Sequence, residues 1–139
     1  MTISPLTDAV GFVRGHPEIF FAGATPSAGA CAQQLVGEVL ALGATDVTVE
    51  RVGDWWIVSS SLDWFLPDQS AEEQVRRLVP LPQAGVNCSR VEVVLVAFAE
   101  AVATLTAGQE WRSLSGPAPT GDLGGRRAGR AVAFRFGGS

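Results

Sequence analysis

The residues able to carry chemistry are few. The chain of 139 residues has one histidine, His16, and two cysteines, Cys31 and Cys88. A hydroxyl or thiol nucleophile needs a base beside it to be activated. No serine or cysteine motif surrounds His16, so its simplest role is a local hydrogen bond or a surface ring. A zinc site needs three or four imidazole, thiolate or carboxylate ligands, and one histidine with scattered acids predicts no metal site. The cysteines lie far apart and lack metal-like pairing. They are expected to be free thiols that pack as small apolar groups.

Groups suited to binding are better represented. Four tryptophans, Trp55, Trp56, Trp64 and Trp111, stand in a chain that is only 8% aromatic. Neighbouring residues on a strand face opposite sides, so Trp55 and Trp56 cannot share one core. One should face the helices and the other the outer side of the sheet, either covering it or forming an interface. Both are candidate interface residues, because exposed tryptophan favours association. Arg126, Arg127 and Arg130 form a short basic cluster, read most simply as a solvated loop. Glu72-Glu73 and Arg76-Arg77 stand four apart, the spacing of ion pairs on a helix surface.

The elements that must position these groups follow from periodicity and caps. Residues 5–14 predict a short helix closed by Gly15. Ser27 can cap a second helix whose apolar positions recur at Ala30, Cys31, Leu35, Val39, Leu40 and Leu42, with Gly43 closing it. Asp46–Arg51 alternates as a strand with Val47 and Val49 on one face; after a turn at Val52-Gly53-Asp54, Trp55–Ser60 returns as its partner. Ala71–Leu78 predicts a short helix, and Ser89–Leu105 a long one, apolar almost all round and therefore buried. Glu110–Ser115 and Ala131–Phe136 read as strands, joined by a loop over 116–130 rich in Gly, Pro and Arg. This order predicts an α+β fold: a two-layer sandwich with helices on one face of a mostly antiparallel sheet.

Composition sets the outer bounds. The length predicts one domain over residues 1–139, and 47% hydrophobic with 17% charged residues describes a globular chain. All ten basic residues are arginine and none is lysine, which reads as codon bias of a GC-rich genome. A net charge of -4 gives nucleic acid no bulk attraction. The start has no basic segment followed by an apolar one, and the longest apolar run, Val93–Ala99, is too short to span a bilayer. A cytoplasmic protein with no membrane partner is expected.

Several stretches, in order, are similar to the ATPase domain of the DNA gyrase B family. Asp8–Gly23 resembles its opening "VRxRPxMYIG", through Val13, Arg14, Pro17, Ile19, Phe20 and Gly23. Leu35-Val36-Gly37-Glu38-Val39 resembles "LVxEVVDN", and Val47–Ile57 the hairpin leading into "DNGRGIP". Val93–Glu100 resembles "ASVVNALSE", and Ala128–Phe134 the closing "TGTxVxF" strand. The resemblance implies a GHKL, or Bergerat, sandwich with an altered lid over about 66–90.

What the resemblance implies for chemistry is depleted here. Glu38 stands in the place of the glutamate that activates water. The magnesium-binding asparagine is replaced by Leu42, which cannot offer the oxygen this ion requires. The adenine-binding aspartate falls near Ser60, and Ser59–Trp64 lacks the glycines of "DNGRGIP". The phosphate loop is represented by Ala84–Arg90, including Asn87, with one glycine where several backbone N–H groups should converge on phosphate. Arg130 replaces the closing threonine. Loss of the metal ligand removes charge neutralisation that phosphoryl transfer needs. The expectation is a non-catalytic binding or regulatory protein with ATP hydrolysis lost and no resident cofactor. Its ligand-binding candidates are Glu38, Leu42, Ser60, Asp63, Trp64, Asn87 and Arg130. Expected partners are a protein, a small apolar molecule or a second copy of the chain. Two alternatives stand beside it: a small-molecule-binding accessory or resistance protein using the former nucleotide pocket, and an ATP–magnesium binder with unorthodox ligands.

Overall fold

The computed structural model describes residues 9–21, 25–65, 70–76, 90–120, 123–124 and 128–136. Asn87, Cys88, Arg77, Arg126, Arg127 and most of the expected lid lie outside the described residues. The described chain is α+β, with helices and a five-stranded antiparallel sheet. Helix α1 spans Ala9–Gly15 and α2 spans Pro17–Phe20, a turn that periodicity alone does not announce. Helix α3 spans Ala28–Ala41. Ser27 is extended and its Oγ accepts the Ala30 N–H at 3.2 Å, satisfying one open donor of the first turn. At the other end Gly43 adopts φ +106, a conformation that glycine reaches without steric cost.

Strands β1 (Thr48–Val52) and β2 (Trp55–Ser60) form the expected hairpin. After α4 (Ala71–Gln74) and α5 (Glu92–Phe98) come β3 (Ala101–Thr106), β4 (Arg112–Ser115) and β5 (Arg130–Arg135). The sheet order is β1-β2-β5-β3-β4, and every neighbouring pair is antiparallel.

Two readings are corrected. The long helix expected over Ser89–Leu105 ends at Phe98, Ala99 is extended, and Ala101–Thr106 becomes an interior strand between β5 and β4. A strand covered on both sides is apolar throughout and loses its period of two, so it reads like a buried helix. Its residues 101–105 are all buried, and Val102, Thr104 and Thr106 are β-branched. Strand β1 is exposed along its whole length, Val49 included.

The helix-surface pairing expected of Glu72 with Arg76 is also redirected, and Arg77, the partner expected of Glu73, lies outside the described residues. Helix α4 is a single turn and Arg76 lies beyond it. Glu72 instead meets Arg112 of β4 at 3.2 Å, and Arg76 Nη2 donates to the Leu114 carbonyl at 2.8 Å. Both side chains fasten α4 to β4.

Alternation divides the core. Val58, Val102, Leu114, Val132 and Phe134 pack with buried helix residues such as Val13, Leu35, Val39 and Leu95. The intervening Trp55, Ile57, Ala101, Leu105, Ala131 and Ala133 form a second cluster, completed by Leu123 and the partly buried Trp111. Among the described residues, no helix residue belongs to it. Among the described residues no helix is long and apolar enough to cross a membrane.

Candidate functional site

Two arginine-centred clusters occupy the region that the sequence marked. The first begins on α3. Cys31, Leu35 and Glu38 recur at helical spacing, so Glu38 lies on the buried stripe, and it is only 2% exposed. Its Oε1 accepts the Val91 N–H at 2.5 Å. Arg90, just ahead of α5, sets Nη1 3.8 Å from Glu38 Oε2 and 3.9 Å from Glu92 Oε1. The same Nη1 donates to the Trp64 carbonyl at 2.8 Å, and Gln74 Nε2 donates to Glu92 Oε1 at 2.9 Å. Arg90 is 5% exposed and Glu92 is 1%.

Burial pushes the Glu38 carboxyl far above the ordinary glutamate range. The neighbouring Glu92 charge and a hydrogen bond with Glu92 raise it further, and the Val91 N–H and Arg90 oppose this more weakly. A general base must be unprotonated and must reach the proton it removes. Glu38 is sealed from solvent, and its raised affinity for a proton works against the role of a base.

The second cluster closes the end of β2 against β5. Asp46 accepts hydrogen bonds from the Ser61 hydroxyl and N–H, which hold its carboxyl below the usual range. Ser60 Oγ accepts the Leu62 N–H at 3.1 Å, and Asp63 Oδ1 accepts the Phe65 N–H at 3.2 Å. This turn presents Asp63 to Arg130. Arg130 Nε lies 2.9 Å from Oδ1 and Nη2 lies 3.2 Å from Oδ2, a two-pronged ion pair. Nη1 donates to Thr104 Oγ1 at 3.0 Å, and that hydroxyl donates to the Ala131 carbonyl at 2.9 Å. The guanidinium also lies 4.0 Å from the Phe65 ring centroid. Gly129 allows the approach: a Cβ there would meet the Ser61 carbonyl oxygen at 2.1 Å.

The structure thus joins Glu38 to Trp64 through Arg90, and Asp63 to Arg130 directly, with Ser60 in the adjoining turn. Leu42 is the C-terminal cap of α3, half-buried against the core. Its side chain offers no oxygen to a metal ion, and the carboxyl of Glu38 faces Arg90 and Glu92. The Arg126–Arg130 cluster is not a basic patch at Arg130, whose charge turns inward to Asp63.

The two adjacent tryptophans take opposite faces of the sheet, as their alternation predicts. Trp56 is half-buried on the helix side, with the Arg51 guanidinium 4.8 Å from its ring. Trp55 points to the outer face yet is 8% exposed, packed in the second cluster with Arg135 5.2 Å from its ring. Trp111 Nε1 donates to the Gly124 carbonyl at 3.2 Å. Leu123 packs in the same cluster and helps to cover Trp55.

His16 Nδ1 contacts the Phe12 carbonyl at 2.8 Å and its ring stacks on Phe12. Burial pushes the Cys31 thiol up to about 12, which keeps it an inert, protonated packing group. Among the described residues no group of three His, Cys, Asp or Glu side chains could hold a metal ion.

Sequence reasoning missed Gln74, Arg90, Glu92 and Thr104. It also missed an open cleft of about 330 Å³ lined by Thr104, Thr106, Gln109, Glu110, Arg112 and Arg130. The cleft flanks the β3–β4 turn, which the long-helix reading concealed. Its lining can hydrogen-bond a small polar molecule but contains no activated nucleophile. Comparisons of the chain with models of protein families, with curated proteins and with solved structures found no match.

Proposed function

We propose that this chain is a non-catalytic binding or regulatory protein built on a gyrase-B-like ATPase scaffold that no longer hydrolyses ATP. The observation that supports it most is the placement of Glu38: it is sealed from solvent and flanked by Arg90 and Glu92, and burial raises its carboxyl above the ordinary range. Water activation at that position has neither a base nor access. The Asp63–Arg130 pair supports the same reading, because it fills with internal contacts a place where the resemblance implies an adenine contact. With the catalytic position given over to packing, the surface or a remaining cleft carries the function, toward a protein or a small molecule.

Calorimetric titration with ATP and with a nonhydrolysable analogue, each with and without magnesium, tests this. No saturable heat up to millimolar nucleotide is expected. Micromolar affinity for either nucleotide overturns the reading and makes Glu38→Ala the next variant.

The cleft beside Arg130 favours a second reading, a small-molecule-binding accessory protein. Its lining of hydroxyls, an amide, Glu110, Arg112 and Arg130 selects a polar ligand, in place of the small apolar molecule expected from the sequence. A metabolite screen read by thermal shift, repeated on Thr106→Val, separates the two: a hit that this variant abolishes favours the accessory role.

A further inference from the structure

Among the described residues, the buried cluster between α3 and α5 holds two carboxyl groups and one guanidinium, an imbalance of one negative charge in a dry environment. An uncompensated charge is strongly disfavoured there. Two further observations locate the remedy. Oε2 of Glu38 and Oε2 of Glu92 are both fully buried, and neither has a donor among the surrounding groups. Arg90 Nη1 lies 3.8 Å from Glu38 Oε2 and 3.9 Å from Glu92 Oε1, and the two glutamate side chains also interact with each other. One proton placed between two such acceptors supplies the missing donor and cancels the excess charge in a single step.

We propose that Glu38 and Glu92 share one proton in a buried carboxyl–carboxylate hydrogen bond, and that this bond, with Arg90 balancing the remaining negative charge, is a pH-sensitive joint between α3 and α5. The charged and titratable groups at the joint are Glu38 from α3, Arg90 ahead of α5 and Glu92 from α5. Helix α4 contributes the neutral amide of Gln74, and the segment after β2 contributes the Trp64 carbonyl. The Val91 N–H completes the shell of Glu38.

The sign of the pH dependence follows. In the unfolded chain Glu38 titrates near the ordinary value of 4.5, whereas in the folded chain it keeps its proton past neutrality. Folding therefore takes up a proton at any pH between these limits. Stability is greatest at the acidic end of the window and falls as pH rises, by up to about tenfold in the folding constant per pH unit.

The test compares the wild type with Glu38→Gln, in which an amide N–H stands where the proton was. Refolding from urea into weakly buffered solution at about pH 8 should take up roughly one proton more per molecule in the wild type than in the variant. The urea midpoint of the wild type should fall from about pH 6 to about pH 9, and that of the variant should fall less steeply. Equal uptake by the two proteins overturns the proposal. Infrared spectroscopy of the folded wild type decides the matter even if the variant does not fold. A protonated-carboxyl band at about pH 8 supports the shared proton, and its absence shows Glu38 ionised and overturns it.

Discussion

Arg90 and Arg130 are both buried arginines that meet carboxylates, and they are held in opposite ways. Arg130 faces one aspartate through two hydrogen bonds of 2.9 and 3.2 Å, with its third nitrogen on Thr104. Charge and geometry both match. Arg90 stands between two glutamates at 3.8 and 3.9 Å, spends its short hydrogen bond on a backbone carbonyl, and leaves Nε without a partner. Charge and geometry are both mismatched, and the surplus carboxyl is left to bind a proton. The difference teaches that a buried arginine can either neutralise an acid or help to keep one neutral, according to how many acids face it. Glu38, with Arg90 and Glu92 facing it, belongs to the second kind.

The largest expected effect comes from removing Arg90. Arg90→Met retains the apolar stem and leaves the two carboxyls without a cation. Breaking a buried pair by deleting one partner costs about 3–5 kcal/mol, which should appear as a large drop in the urea midpoint at neutral pH. The loss should shrink as pH falls, because a second proton can then neutralise the carboxyl pair. A deficit that stays constant with pH would mean that Arg90 contributes packing and its Trp64 hydrogen bond alone.

How much of this was legible in the sequence depends on the distance over which each contact acts. Local signals carried well: the Ser27 cap, the 48–60 hairpin and the last strand all lie where capping chemistry, a tight turn and alternation put them. Strand β3 did not carry, since an interior strand and a buried helix present the same apolar run. Glu38 left a trace that could have been followed. It stands seven residues after Cys31 and three after Leu35, on the apolar stripe of its own helix, and a glutamate there needs an internal partner. The partners themselves were not legible. Arg90 is 52 residues away, Asp63 and Arg130 are 67 apart, and no local pattern reports which arginine the fold will bring to which acid.

A smaller effect is expected at the matched pair. Asp63 is about half exposed, so solvent screens part of the interaction. Asp63→Asn keeps one oxygen toward Arg130 and should cost about 1–2 kcal/mol. The comparison sharpens with the double variant Asp63→Leu with Arg130→Met. A matched pair replaced at both ends should recover most of the stability that either charge loses alone, because no unpaired charge remains in the fold. Equal losses in the single and double variants would show that Arg130 acts mainly through Thr104 and Phe65 rather than through Asp63.

The smallest effect belongs to the third pair, Glu72 with Arg112, which lies in the open: its side chains are 46% and 59% exposed. Water and salt screen such a pair, and ordering two flexible side chains offsets most of what remains. Glu72→Gln should therefore move the unfolding free energy by less than about 0.5 kcal/mol. The exchange has a consequence beyond stability, because Arg112 also lines the cleft that Arg130 borders. Glu72 competes with any anion for that guanidinium. Freed of its partner, Arg112 should hold an acidic ligand of the cleft more tightly, so an acidic hit from the thermal-shift screen should shift Glu72→Gln further than the wild type. An unchanged shift would place Arg112 outside the binding contact and leave Arg130, already occupied by Asp63 and Thr104, as the cleft's remaining cation among the described residues.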